Sequence, residues 1–405
     1  MRINIILLLG VLICGGITFA ITMFNEAKED QVNPRLVAAD NQFGFDLFNQ
    51  LRSRERDKNI FISPLSIACA LTMTYNGAAG ETRQAMARGL KLDGMSLDEV
   101  NRANATLMSS LKSTDPKIEL TIANSLWARQ GVQFKSDFLA RTRQFFGAEI
   151  AALNFSEPQA KTTINNWVSK STKGKIPAIV DQIDNQKVLF LINAIYFKGV
   201  WTKQFDKALT KNEPFHLPSG AAQPVPMMSQ SGNYLYYRGD KFQAISLPYG
   251  SGGANLFLFL PDQGSSLDEL LKNFSYDQCQ QWMNGFRSTP GDVKIPRFKM
   301  DFDSNLNESL KALGMEPAFS ADQADFSGMR EQRDLFISEV KHKAVIEVNE
   351  EGTEAAAATS VGISLTSMRP TPQRFKFIAD RPFLLALRSQ KTEAILFLGA
   401  VLEPK

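Results

Sequence analysis

The sequence predicts an α+β fold, on three observations. Helix-like apolar stretches such as SIACALTM, around Cys69, stand among segments that read as strands. Phenylalanine is heavily used, with 29 Phe against 7 Tyr in a chain that is 44% hydrophobic. A long two-residue alternation runs from Thr353 to Leu365. The chain has 405 residues, enough for one large core or for two or three subdomains. No internal repeat or long low-complexity tract divides it.

The first 24 residues form a unit of their own. Met1-Arg2 leads into an apolar run from Ile3 to Phe24, with Thr18-Phe19-Ala20 as a small-residue exit. One positive charge, an apolar run and a small-residue exit resemble an export signal. The run would also span a bilayer if uncut, since about 20 apolar residues suffice. Cys14 offers a third outcome, lipid attachment, although the bulky Ile13 before it is unfavourable. Each outcome puts the body outside the cytoplasm, secreted, extracellular or periplasmic, and two of them attach it to a membrane. Asn25 to Asp40 reads as a polar linker, and residues 41–405 as the folded body.

Charge and chemistry exclude several classes. The chain carries 45 basic and 42 acidic residues, a formal net charge of +3. No basic stripe argues for nucleic acid. Cys14, Cys69 and Cys279 build no disulfide framework, and Cys69 reads as a buried free thiol in an apolar helix. Two histidines occur, His216 and His342. A Ser-His-Asp triad needs one of them, but there is no G-x-S-x-G elbow. Tyr249 to Gly253, YGSGG, is a glycine-rich turn with the wrong spacing. No H-E-x-x-H, Cys-x-x-Cys or phosphate-binding loop appears, so no metal, cofactor or catalytic residue is expected. His342, between Lys341 and Lys343 in a strand-like run, reads as a hydrogen-bonded structural residue.

The most informative stretch is Glu350 to Arg369, EEGTEAAAATSVGISLTSMR. Counting by twos from Thr353 gives Ala355, Ala357, Thr359, Val361, Ile363 and Leu365, all uncharged. Between them stand Glu354, Ala356, Ala358, Ser360, Gly362 and Ser364, small or polar. Such alternation suits a strand with one face buried. Yet Gly352, four alanines, Pro370 and Pro372 mark an exposed loop open to nicking. A segment that is first loop and then strand would satisfy both. As a strand, its 13 residues reach roughly 44 Å. Up to two ladder bonds per residue, each worth ~1 kcal/mol net, match an ordering cost of ~1–2 kcal/mol per residue. Burial of Val361, Ile363 and Leu365 then favours insertion, and the uninserted state must be held kinetically.

Four strings fix a resemblance. They are NIFISPLSIACALTMTYNGAAGETRQAMARGL from Asn59, NAIYFKGVWTKQF from Asn193, LFISEVKHKAVIEVNEEGTEAAAAT from Leu335 and RPFLLALRSQKTEAILFLGAVLEP from Arg381. Ile295 to Ser320 and the PFHL and VPMMSQ segments fall in order between them. Together they resemble the serpins, the serine-protease inhibitor family, over roughly Asp40 to Lys405.

The resemblance implies three β-sheets with eight to nine helices and a reactive-centre loop at about 350–374. It implies a monomer whose partner is a serine protease, held covalently. The protease cuts the loop and forms an acyl-enzyme, and the loop then inserts into the main sheet before deacylation. Carried over residue by residue, the hinge is Glu350, Glu351, Gly352, Thr353, Glu354, Ala355, Ala356, Ala357, Ala358 and Thr359. Neither a proline nor a charge stands at 353, 355 or 357, which favours an inhibitor over a non-inhibitory binding or chaperone relative. Arg297 matches the basic partner of Glu350, an exposed pair worth ~0–1 kcal/mol. Trp201 matches the tryptophan at the top of the sheet. Ser63, Ser66, Asn193 and His342 match a polar cluster under the strands that must part. Family spacing puts the reactive bond between Thr366 and Ser367, with Leu365 and Met368 as alternatives. That bait suits an elastase-, chymotrypsin- or subtilisin-like enzyme.

Overall fold

The first helix begins earlier than its sequence suggests. In the computed structural model, which describes residues 31–112, 115–353 and 374–405, helix α1 spans Pro34–Arg54. Asn33 caps it, its side-chain oxygen accepting from the amides of Arg35 and Leu36, and Pro34 occupies the first helical position. Both are start signals. The linker expected to run to Asp40 therefore ends before Pro34. The amphipathic pattern is masked because Asp40 and Asn41 lie on the buried face. Asn41 is satisfied there by the Glu393 carbonyl and the Ile395 amide. The contacts divide the chain into Met1–Gln31 and Val32–Lys405, and the fold described is that of the second unit.

Helix α2 (Pro64–Tyr75) is buried along its whole length, as expected of a helix apolar on all sides. Its N-cap is Ser63, whose hydroxyl accepts from the Ser66 amide. It crosses α1 at Gly44, where an added Cβ would stand 2.2 Å from Pro64 Cβ. Cys69 is a buried free thiol, as its apolar surroundings suggested. Among the described residues there are eight α-helices, a short 3-10 helix at Lys207–Leu209 and a further helical stretch at 307–319, kinked at Gly314.

Two hydrogen-bonded sheets carry the body. The six-stranded sheet runs β10 (Phe298–Asn305), β11 (Ile337–Val348), β12 (Gly352–Thr353), β4 (Leu189–Val200), β2 (Ile118–Arg129) and β3 (Glu149–Leu153). The other sheet has nine strands. Its path runs β1 (Ile60–Ile62), β15 (Ile395–Val401), β14 (Phe383–Ser389), β8 (Ala254–Pro261) and β7 (Phe242–Tyr249). It continues through β6 (Ala222–Arg238), β9 (Arg287–Pro296) and β13 (Phe375–Ile378), with β5 (Lys211–His216) paired to β6. Three sheets were implied. The 17-residue β6 pairs with β5 at one end and β7 at the other, so two of the three merge into one ladder.

The pleat of the six-stranded sheet sorts its side chains. Leu189, Leu191, Ile195 and Phe197 face the main core with α2 and the nine-stranded sheet. Phe190, Ile192 and Ala194 face a smaller core under the helix Pro158–Ser171, with Ile164 and Val168. Among the described residues, no helix is long and apolar enough to cross a membrane.

Asp40 is the anomaly of this core. It is buried, its Oδ2 has no hydrogen-bond partner among the described residues, and desolvation holds its carboxyl well above the usual range. Above the unfolded value of about 4, the native state keeps a proton that the unfolded chain loses. Stability therefore falls as pH rises through that window, by up to about 1.4 kcal/mol per pH unit. Urea midpoints measured upward from pH 4 should fall with rising pH in a His342→Gln background, and adding Asp40→Asn should remove that fall.

Candidate functional site

The strands β4 and β11 run parallel, paired from Leu189 and Ile337 to Tyr196 and Val345. One rung of this seam is polar across four strands: Ser304 opposite His342, His342 opposite Asn193, Asn193 opposite Asn124. All four are nearly or fully buried. The Asn193 carbonyl oxygen lies 2.5 Å from His342 Nδ1. Asn193 Nδ2 donates to Asn124 Oδ1 at 2.5 Å, to the Ser66 carbonyl at 3.1 Å and to the Ser66 hydroxyl. From below, the Ser63 amide donates to His342 Nε2 at 3.4 Å. A ring nitrogen that accepts is unprotonated, so Nδ1 carries the proton and the imidazole is neutral. Burial drives the His342 pKa down to about 3. The expected cluster of Ser63, Ser66, Asn193 and His342 therefore assembles around the N-terminus of α2.

At its upper end the seam opens, and β12 fills it. Thr353 pairs with Gly199 of β4 and Val348 of β11, antiparallel to both. It is 0% exposed, and its hydroxyl lies 2.8 Å from the Tyr249 hydroxyl. Tyr249 stacks on Trp201 at 4.0 Å and 15°, and burial pushes its pKa up. Trp201 Nε1 donates to the Asn349 carbonyl at 2.8 Å, and the Trp201 amide to Glu351 O at 2.9 Å. Gly352 has φ +145°, and an added Cβ would lie 2.1 Å from the Gly199 carbonyl oxygen. Only glycine suits both conditions.

One expected hinge residue, Thr353, is already seated in the sheet, and one expectation changes. The Glu350–Arg297 pair was expected to be exposed. Their separation is 3.6 Å, with Arg297 49% exposed but Glu350 only 3%. Glu350 Oε1 also accepts from the Thr210 hydroxyl at 2.8 Å, and its carbonyl from the Phe205 amide at 2.8 Å. The chain turns inward at Asn349, which buries the carboxylate. Glu351 pairs with Lys207 at 2.5 Å. Glu354, Ala355, Ala356, Ala357, Ala358, Thr359, Leu365, Thr366, Ser367 and Met368 lie outside the described residues.

The sequence reading missed Asn124, Tyr249, Thr210, Lys207 and Asn349. Asn124 was findable, being a polar residue on an otherwise apolar strand face in LTIANSLWA. Tyr249 carried no such signal, because its partner Thr353 is 104 positions away.

Comparison with known proteins agrees with this architecture. The family model described as Serpin (serine protease inhibitor) matches residues 38–404. The chain belongs to the serpin family. The leukocyte elastase inhibitor of Equus caballus is 35% identical over 382 residues, covering 91% of this chain and 100% of its own. Serpin B10 of Rhinolophus ferrumequinum is 33% identical over 392 residues, covering 90% of this chain and 98% of its own. The solved native state of the thermophilic serpin tengpin superposes with a TM-score of 0.85 at 32% identity, covering 92% of this chain and 95% of its own. This serpin is thus an inhibitor-family protein and not an enzyme.

The rung links the stability of the body to the protonation of His342. His342 has a pKa of about 3 in the folded protein against about 6.5 unfolded. Between these values the unfolded chain binds the extra proton, so stability falls with falling pH, by up to about 1.4 kcal/mol per unit. This slope opposes that of Asp40, so it should emerge in Asp40→Asn between pH 6.5 and 4 and vanish in Asp40→Asn/His342→Gln. At the top of the seam, Tyr249→Phe should cost about 1 kcal/mol in urea unfolding and leave Thr353→Val nearly without effect in that background.

Proposed function

We propose that this serpin is an irreversible inhibitor of serine proteases that works by loop cleavage, acyl-enzyme trapping and strand insertion. The observation that carries the reading is the register of β12. Thr353 is held opposite Gly199 and Val348. Continued down the seam in the same antiparallel register, Thr359 falls between Asn193 and His342. Thr359 shares the inward side of Thr353, since even separations share a face. Its hydroxyl can replace the bond between Asn193 and His342 that insertion must break. Continued further, β4 is exhausted at Ile363, opposite Leu189, and β11 one residue later, opposite Ile337. The proposed Thr366–Ser367 bond therefore lies just past the length the seam can hold.

In this scheme the protease's serine attacks the Thr366 carbonyl, the bond to Ser367 breaks, and Thr366 stays esterified to the protease. The freed arm zips down the seam and carries the protease over ten rungs, about 34 Å. An elastase-like target suits a Thr366 bait. The equine relative's name, leukocyte elastase inhibitor, supports the same class. The resting molecule is a monomer. The residues before 38 lie outside the family match, and we assign Met1 to Phe24 to export.

Incubation with elastase, chymotrypsin, trypsin and subtilisin, read by denaturing gel and mass spectrometry, tests the mechanism. An SDS-stable adduct should form with an elastase-, chymotrypsin- or subtilisin-like enzyme, with a new N-terminus at Ser367. Cleavage with neither adduct nor a rise in melting temperature would instead mark a non-inhibitory binding protein. Thr353→Arg should abolish adduct and leave a cleaved substrate, because a charge cannot occupy the site beside Tyr249. Thr359→Val, which keeps the size and removes the hydroxyl, should lower adduct yield several-fold without preventing folding.

A further inference from the structure

We propose, on the insertion reading above, that Lys187 and Glu339 form a bolt across the foot of the seam between β4 and β11. The bolt is closed in the uncleaved protein and broken when a strand enters, so both are positioning residues for insertion. The pairing of the two strands is irregular at this level. Ile337 lies opposite Leu189 and Glu339 opposite Phe190, which leaves Ser338 as an extra residue on β11. A bulge of this kind re-aims a side chain. The Ser338 hydroxyl accepts from the Val188 amide at 2.8 Å, just before β4 begins. Beside it the Lys187 ammonium pairs with the Glu339 carboxylate. The two side chains are only 18% and 13% exposed, so salt screens the pair less than it would a surface pair.

Each half of the bolt is anchored on its own side. Lys187 Nζ lies 4.6 Å from the centroid of the Phe190 ring on β4, and the Lys187 amide donates to the Asp184 carbonyl at 3.1 Å. Glu339 Oε1 accepts from Asn305 Nδ2 of β10 at 3.2 Å. Asn307, just after β10, donates to the Ser338 carbonyl at 2.8 Å and accepts from the Val340 amide at 2.9 Å. Lys341 and Lys343 share the face of Glu339 but turn away from the seam, to Asp303 and Asp301 of β10. Parting the strands therefore spares these anchors. It breaks the two side-chain contacts that cross, Lys187 to Glu339 and Val188 to Ser338. A strand set between β4 and β11 moves them from about 4.8 Å to about 9.6 Å apart. At that spacing Lys187 reaches Glu339 only by leaving Phe190, so the pair stabilises the closed seam alone.

Guanidinium unfolding of the full chain, intact and after nicking by a catalytic amount of subtilisin, tests the bolt. Lys187→Met keeps the stem on Phe190 and removes the charge. Glu339→Gln keeps an acceptor for Asn305. In the intact protein each should lower the equilibrium constant for folding about fivefold, and the double variant should lose no more than either alone. The nicked forms of all three should unfold at the midpoint of the nicked parent. Lys187→Arg, which restores the charge, should match the parent in both forms. Equal losses in the intact and nicked variants overturn the proposal, because a pair that serves both states is ordinary scaffold. Intact variants as stable as the parent overturn it too, as do losses that add in the double variant. A parent whose nicked form gains no stability removes the insertion reading itself, and the bolt with it.

Discussion

The structure depends on one hydrogen-bonded rung across the seam between β4 and β11. Asn193 and His342 face each other across β4 and β11, and their mutual bond is one of the contacts that hold the sheet shut at mid-height. An apolar pair at that position could be packed tightly, but parting it would expose surface with nothing to replace the loss. A polar pair exchanges partners instead. Both members of the pair have further bonds, His342 to the Ser63 amide and Asn193 to Ser66 and Asn124, which hold them in place. A buried polar network is tolerable only when fully satisfied, and this one is satisfied by the capped start of α2.

Gly352 and Thr353 occupy the widened top of the seam and pair with both β4 and β11. The stack of Trp201 on Tyr249 forms the wall against which Thr353 rests. Glu350 and Glu351 hold the turn below by side-chain and main-chain bonds, not by a solvent-exposed ion pair alone.

Two cores flank β4. Residues of one parity on β4 press into the main core, and those of the other parity lie under the helix Pro158–Ser171. Asp40 and His342 are two desolvated titratable groups in the same interior, a carboxyl whose pKa burial raises and an imidazole whose pKa burial lowers. Their opposite proton linkages flatten the response of the body to mild acid.

The α+β class and the two-residue period from Thr353 to Leu365 were legible in local pattern, since period and glycine placement are visible within a dozen positions. The residues of the polar cluster were legible only through the resemblance that the family strings carry. Long-range packing settled that Thr353 is already seated, that Glu350 is buried and that Asn124 and Tyr249 complete the site. It also joined two implied sheets into one and started α1 at Pro34. These outcomes depend on register and burial between residues about 70 to 150 positions apart. A periodicity states which face a side chain takes, but the strand that meets that face is chosen by packing across the whole chain.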